Sequence, residues 1–462
     1  MAISGGVRGL TDLELMAHLY RRAGFGATHD EITAAVDRGY EATVEELLHP
    51  EAQPDVDLDL MYRFYPDMKE EREIEITQAY WVYRMINSPR PLEEKMALFW
   101  HSLFATAFNK SNHAQMVHRQ VNTFRKHCLG NFRTILLELS RDPAMIFWLD
   151  NQENTKDVHN ENYGRELLEL FSMGIGTYSE DDVKSCARAF TGWSVETLLN
   201  IGPFGRNVWN FEFKPEQHDY SEKEFLGQRG NFDGADIIDI VAQQPATARF
   251  IARRLYLFFV SDRPNDAVID ELAEVFQASG GDIRSVMRAL LLSDVFRSER
   301  AYLAKVKSPA EYVVGVSKLV GDFRFPDWGI VNLALECRYM GQDLMNPPSV
   351  EGWHVGREWI DTGILVERVN FASEQVGDLG KPGVRAIVEQ LRAQGPLSPE
   401  ALVDNCLSLV GPMRVKDSTR AALVARVSQE GTLDLASGGA AAERRVATLL
   451  RLIVASREYQ FA

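Results

Sequence analysis

The residues best suited to chemistry lie in one short stretch, "HNENYGRELLELFSMG", at positions 159–174. At about 100° per residue, a helix places Asn162, Arg165, Glu166 and Glu169 in one stripe roughly 100° wide, while apolar residues cover most of the remaining surface. Such a helix is expected to be buried on several sides. Two carboxylates in unlike environments can divide into an acid and a base, as in glycoside hydrolysis. The stretch therefore predicts an internal polar site, with a stripe that only meets solvent as the alternative.

Two other segments carry groups that could join this site: an apolar helix segment with His101, and an irregular loop with His218 and Asp219. The apolar segment "EEKMALFWHSLFATAF" has Glu94 and His101 seven residues apart and hence on one helix face. A carboxylate opposite the histidine would set its tautomer and raise its pKa, although a histidine on an apolar helix is more often a core residue. The predicted catalytic cluster comprises His101, Glu166, Glu169, His218 and Asp219. The predicted substrate-binding residues are Asn160, Asn162, Arg165, Trp100, Trp193 and Trp353.

The same cluster is open to three chemical interpretations. Carboxylates and histidines can hold a divalent metal, but no histidine follows a candidate glutamate by three residues, so the metal and any other cofactor stay unknown. Acid–base hydrolysis of a polar substrate needs no metal. A buried salt-bridge network with Arg165 at its centre would need no substrate at all. The sequence has no GxGxxG, GxxxxGK[ST], HExxH or GxSxG motif to decide among them.

Composition limits the class of protein. The 462 residues are 45% hydrophobic and 25% charged, which is typical of a folded globular chain. The net charge of −16 disfavours binding to nucleic acid, which depends on clustered cations. No apolar run approaches the about 20 residues of a membrane span, and no signal peptide is visible, so we expect a soluble cytoplasmic protein. The four cysteines are expected to be free and buried because none forms a CxxC pair: Cys128, Cys186, Cys337 and Cys406.

The elements that must position these groups are predicted to be helices. Thr28 and Glu31 form a capping-box pattern, and Ser398 before Pro399 is typical of a helix start. Helical apolar spacing recurs along most of the chain, whereas alternating strand patterns are scarce. These features predict an all-α fold of many helices. We expect a main helical domain over 1–375 and a small helical subdomain over 376–462.

Two long irregular loops interrupt the predicted main domain. Residues 195–232 are rich in Gly, Pro, Asn and aromatic residues, with a short hairpin expected around 208–219. Residues 341–362 form the other loop. Loops of this length in a compact domain often hold binding groups.

Seven segments together resemble the bacterial family DUF1800 and span about residues 10–460: "HLYRRAGFGAT", "EKMALFWHSLFA", "NENYGRELLELFSMGIGTYSEDDV", "ARAFTGW", "HDYSEKEFLG", "FIARRLYLFFV" and "MGQDLMNPPSVEGWHVGREWIDT". The family has no assigned activity. The resemblance implies that the polar helix, the "FWH" helix, the "HD" loop and the "PPSVEGW" loop share a site. It also implies a DUF1501-type protein as partner, since the two are commonly encoded side by side.

The chain departs from that family in three respects. Many relatives look exported, whereas this sequence shows no export signal. Phe171 and His354 stand where many relatives have histidine and proline. The change at Phe171 removes a candidate metal ligand just after Glu169.

These features together predict a hydrolase-type enzyme that acts on a polar, glycan-like substrate. Glu166 or Glu169 would be the general acid or base, and His101 and His218 would carry protons or bind a ligand. The alternative is a non-catalytic scaffold or adaptor whose polar cluster fixes the helix register and whose two loops bind a partner. A terpene-cyclase-like enzyme would need an Asp-rich motif, for which "DNQEN" at 150–154 is a poor substitute.

Overall fold

The fold is built almost entirely from α-helices, in a computed structural model that describes residues 9–66, 73–196, 209–327 and 329–462. The prediction of an all-α fold is confirmed. In the first half the helices are α1 Asp12–Arg22, α2 His29–Arg38, α3 Tyr40–Leu48, α4 Asp59–Phe64, α5 Ile74–Asn87, α6 Pro91–Leu103, α7 Phe108–Ser111, α8 Ala114–His127, α9 Phe132–Ser140, α10 Pro143–Trp148, α11 Asn162–Glu169 and α12 Glu180–Ala189.

The second half continues the same helical array. Its helices are α13 Gly234–Ala242, α14 Pro245–Phe259, α15 Asp266–Ala278, α16 Ile283–Leu292, α17 Pro309–Val320, α18 Ile330–Tyr339, α19 Thr362–Gly377, α20 Pro382–Ala393, α21 Pro399–Leu409, α22 Asp417–Ser428 and α23 Gly439–Val454. Short 3-10 turns lie at Pro50–Ala52, Asn151–Glu153, Pro215–Gln217, Gly356–Ile360 and Glu458–Gln460.

Local sequence signals set several helix starts. The capping box predicted at Thr28 is confirmed, because its side chain accepts from the Glu31 amide and the Glu31 carboxylate accepts from the Thr28 amide. Ser398 caps α21 by accepting from the Ala401 amide. Such caps satisfy amide groups that the first helical turn leaves without a partner.

Two small hairpins interrupt the helices. Strand β1, Trp193–Glu196, pairs antiparallel with β2, Asn210–Phe213. Of the hairpin expected around 208–219, only β2 lies within these bounds: it pairs with β1, and Pro215–Gln217 form a 3-10 turn. Residues 197–208 lie outside the described residues. A second hairpin, β3 Lys223–Phe225 with β4 Gln228–Gly230, was not predicted, because three-residue strands are too short to show an alternating pattern.

The core is centred on buried helices that carry the predicted site. All of α6 is buried except Pro91 and Ser102, and it packs against α5 and α8. One continuous cluster of buried apolar residues runs from α1 to α23. The predicted domain boundary after residue 375 falls within the last turn of α19, and the division into two domains stays a prediction. The four cysteines are free and buried, as expected. Within the described ranges, no helix is long and apolar enough to cross a membrane.

Candidate functional site

Helix α11 presents the polar stripe that its sequence predicts. Tyr163, Leu167 and Leu168 are buried, whereas Glu166 and Glu169 are only partly buried. The sequence folds this way because the apolar positions recur at helical spacing around the two carboxylates. The helix therefore presents both carboxylates along one edge of the core.

The two carboxylates of α11 lie in unlike environments. Burial and the charges of Glu169 and Glu351 raise the pKa of Glu166, against the opposing effect of Arg165. Glu169 instead accepts a hydrogen bond from the Tyr178 hydroxyl at 3.1 Å. No hydrogen bond to the Glu166 carboxylate occurs in the described part of the chain. Glu166 is therefore the carboxylate more prone to hold a proton.

The 341–362 loop joins helix α6 to helix α11. At Gly352, where φ is +92°, a Cβ atom would lie 2.6 Å from the Ser102 carbonyl oxygen. A side chain would therefore clash, and the loop can press against the last turn of α6 only with glycine here. On either side of this glycine, Glu351 interacts electrostatically with Glu166, and the Trp353 ring meets the His101 ring edge-on at 5.2 Å. The loop thus contacts α6 directly, and the charge of its Glu351 acts on Glu166 of α11.

Arg254 of α14 adds a cation that sequence reasoning missed. Its guanidinium lies 5.1 Å from the centre of the Phe250 ring. Burial and the neighbouring Arg253 lower its pKa, while the charge of Glu351 acts in the opposite direction. Across the described ranges Arg254 has no hydrogen bond or ion pair. Its position between Arg253 and Leu255 in an amphipathic helix carried no signal of this role.

His101 is a fully buried, neutral residue. Burial lowers the pKa of its imidazole to about 3. Both ring nitrogens are buried without a hydrogen-bond partner, as is Nε1 of Trp353. The ring meets Trp81 edge-on at 5.6 Å. No carboxylate of the described residues bonds to it, so the condition for a raised pKa is not met, and His101 is placed as the core residue that an apolar helix favours.

Glu94 lies on the same face of α6 as His101, as predicted, and also contacts Trp81. Its carboxylate accepts from the Trp81 indole at 3.1 Å and from Arg84 Nε at 2.7 Å. Arg125 donates to both of its oxygens, at 2.8 and 2.9 Å. These partners hold the pKa of Glu94 below its usual value despite complete burial, which alone would raise it. Glu94 is therefore the centre of a buried ionic network.

Arg165 and the two asparagines have structural partners. Arg165 binds Glu180 through two hydrogen bonds of 2.7 and 2.9 Å, and both side chains are largely exposed, so its placement at the centre of a buried network is wrong. Asn160 accepts from the Asn162 amide and donates to the Asp150 carbonyl. Asn162 donates to the Leu149 carbonyl. The asparagines therefore join the start of α11 to the end of α10.

His218 and Asp219 lie together, but with α12 as their neighbour. His218 Nδ1 is 2.8 Å from the Thr191 carbonyl, and Asp219 accepts from Arg188 Nε at 2.7 Å. Hydrogen bonds from Ser221 and Arg188 lower the pKa of Asp219, against the opposing effect of burial. Throughout the described part of the chain, no hydrogen bond, ion pair or ring contact joins either residue to His101 or Glu166. Their catalytic role stays a prediction.

The remaining predicted residues lie in apolar packing. The Trp100 indole donates to the Cys128 carbonyl at 3.0 Å, and its ring stacks on Phe104. Trp193 packs edge-on against Phe190 and Phe211. Phe171 meets Phe104 at 5.6 Å. The role predicted for the tryptophans in substrate binding stays a prediction.

A metal centre is not assembled by these residues. Considering only the described positions, no group of three or more His, Cys, Asp or Glu side chains is arranged to hold a metal ion. The identity of any cofactor therefore stays open.

Comparison with known proteins identifies the family. The family model described as "Protein of unknown function (DUF1800)" matches residues 18–461. No curated protein and no solved structure matches the chain. The match covers almost the whole sequence and confirms the resemblance carried by the seven segments: the chain belongs to the DUF1800 family.

Proposed function

We propose that this protein is a hydrolase-type enzyme that uses acid–base chemistry on a polar, glycan-like substrate. The observation that carries the proposal is the position of Glu166, partly buried beside Glu169 and Glu351, which raises its pKa. A carboxyl group whose pKa is raised is better able to hold the proton that a general acid donates. Glu169, which accepts a hydrogen bond from Tyr178, would be the base.

Glu166, Glu169 and Arg254 have different roles in the proposed hydrolysis. Glu166 would donate its proton to the leaving oxygen as the bond to that oxygen breaks. Glu169 would take a proton from the water that attacks the other side of the bond, which balances the reaction. Arg254, the cation without a paired carboxylate, would bind a substrate oxygen or carboxylate through its planar donors.

The proposal is tested by Glu166→Gln, which keeps the shape of the side chain but cannot donate a proton. Wild type and variant are assayed against a panel of oligosaccharides and chromogenic glycosides. We expect a loss of kcat of about 100-fold or more, with a melting temperature no lower than that of wild type. Glu161→Gln, one turn earlier and exposed, is the matched control and should keep full activity. Turnover that survives in Glu166→Gln would contradict the assignment.

A scaffold protein is the second candidate. It is favoured by the asparagines of the cluster, which bind backbone carbonyls. The 341–362 loop also exposes Val355, which is 69% accessible. On this proposal the loop binds a partner, for which a DUF1501-type protein is the candidate. Glu166→Gln would then lower the melting temperature without any turnover to lose, and Val355→Ser would weaken partner binding in pull-down experiments with the purified pair.

A further inference from the structure

A recess rich in cations lies far along the chain from the carboxylates of the proposed active site. It is formed by α1, α17 and the residues after α23, and its cavity volume is about 60 Å³. The charged residues that line it are Arg21, Lys307, Lys318 and Glu311. Phe25 and Tyr459 contribute apolar walls. None of these residues belongs to the Glu166 site, so the recess is a separate feature.

Glu311 is the only side-chain carboxylate among the described lining residues, and it is already engaged. One oxygen of Glu311 binds Lys95, and the other accepts from the Ser308 amide at 2.7 Å. Neither oxygen is hydrogen-bonded to Arg21 or Lys318. The three lining cations therefore outnumber the lining carboxylate in a chain whose net charge is −16.

Arg21 has donor groups without acceptors. Its Nε and Nη2 atoms are buried and have no hydrogen-bond partner. Nη1 makes one long contact, 3.5 Å to the Pro412 carbonyl, and the guanidinium lies 5.3 Å from the centre of the Tyr302 ring. Buried donors in native proteins are almost always paired, so two unpaired donors on one guanidinium point to an absent acceptor.

The two lysines reinforce this local charge. Lys307 donates to the Tyr459 carbonyl at 2.8 Å and lies 4.1 Å from the centre of its ring. Burial and the charges of Arg21 and Arg368 lower the pKa of Lys307, while Glu311 acts in the opposite direction. Burial also lowers the pKa of Lys318, which Glu31 opposes and Arg324 reinforces. An anion in the recess would relieve this crowding of like charges.

We infer that the recess binds an oxyanionic group of a small ligand, either a phosphate or a carboxylate. The Nε and Nη2 donors of Arg21 match two oxygens of such a group in a bidentate arrangement. Lys318 and Lys307 supply further positive charge around it. The cavity is about four times the smallest volume that can hold a water molecule, which suits one anionic group and excludes a sugar ring.

The inference is tested with inorganic phosphate as the probe. Calorimetric titration and melting curves of the full chain are recorded with phosphate, with acetate as the carboxylate probe, and with chloride at equal ionic strength. A tag at the C-terminus is avoided because Ala462 lines the recess. We expect phosphate or acetate to raise the melting temperature with dose, since a ligand that binds the folded state stabilises it. The stronger of the two identifies the anionic group.

Substitutions of recess residues test whether the anion binds there. Arg21→Gln should weaken binding at least tenfold, and Lys318→Gln should weaken it less. Arg444→Gln, an exposed residue of α23 outside the recess, is the matched control and should bind like wild type. The inference is overturned if phosphate and acetate do no better than chloride. It is also overturned if the recess variants bind as well as Arg444→Gln; Lys318→Gln decides the matter should Arg21→Gln fail to fold.

Discussion

Two glutamates of this molecule, Glu94 and Glu166, show how partners control the charge of a carboxylate. Glu94 is fully buried, yet two arginines and an indole hold its pKa low. Glu166 is less buried, yet burial and the charges of Glu169 and Glu351 raise its pKa. Burial alone would raise the pKa of Glu94 more than that of Glu166. The hydrogen-bonded partners, rather than depth in the core, thus separate a structural carboxylate from one suited to proton transfer.

The largest expected effect is on Glu94. Glu94→Gln removes the carboxylate shared by Arg84 and Arg125. Arg84 keeps Asp55, but Arg125 keeps the neutral Asn122, and an uncompensated buried charge costs about 3 to 5 kcal/mol. We expect the free energy of unfolding to fall by that amount. Urea denaturation at pH 7 measures it, with exposed Glu161→Gln as the control. A loss as small as that of the control would mean that the buried arginines find other partners.

Low pH should remove the stabilisation that ionised Glu94 provides. Because its folded pKa is lowered, its stabilisation is complete above the unfolded value of about 4.3 and is lost as pH falls through the folded value. The difference in unfolding free energy between wild type and Glu94→Gln should therefore shrink as pH falls from 5 to about 2. A difference that stays constant over this range would show that the charge of Glu94 is not what stabilises the fold.

The contribution of Glu166 to stability should depend on pH in the opposite sense to that of Glu94. A raised folded pKa means that stability is present below the unfolded pKa and is lost as pH rises through the folded value. Glu166→Gln should therefore equal wild type at pH 4 and be more stable at pH 7. The gain should be less than about 1 kcal/mol because the side chain is only partly buried. Urea denaturation at both pH values measures it, and destabilisation at pH 7 would favour the scaffold proposal.

The smallest expected effect is on Arg165. Its partners Glu161 and Glu180 are solvent-accessible, and exposed ion pairs contribute little. Arg165→Gln should shift the melting temperature by about 1 °C or less. The shift should vanish at high salt, which screens such pairs. A larger loss in scanning calorimetry would return Arg165 to the central role that the buried-network interpretation assigned to it.

The sequence predicted those parts of the molecule that depend on neighbours along the chain. Helix starts at Thr28 and Ser398, and the stripe of Glu166 and Glu169, follow from spacings of three to four residues. The β3–β4 hairpin was not predicted because its strands are too short to show an alternating pattern. Family segments then indicated the importance of the "PPSVEGW" loop, although not which of its residues would reach Glu166.

Only the tertiary structure decided which distant groups meet. Sequence alone determined that Glu166 would lie on a largely buried helix, but only the structure shows that the charge of Glu351, from a distant loop, acts on it, and that Glu351 also acts on Arg254 of a separate helix. The cation recess likewise joins Arg21 to Lys307 and Tyr459, which are hundreds of residues apart. The physical reason is that helix periodicity is local, whereas such contacts depend on how the whole set of helices and loops packs.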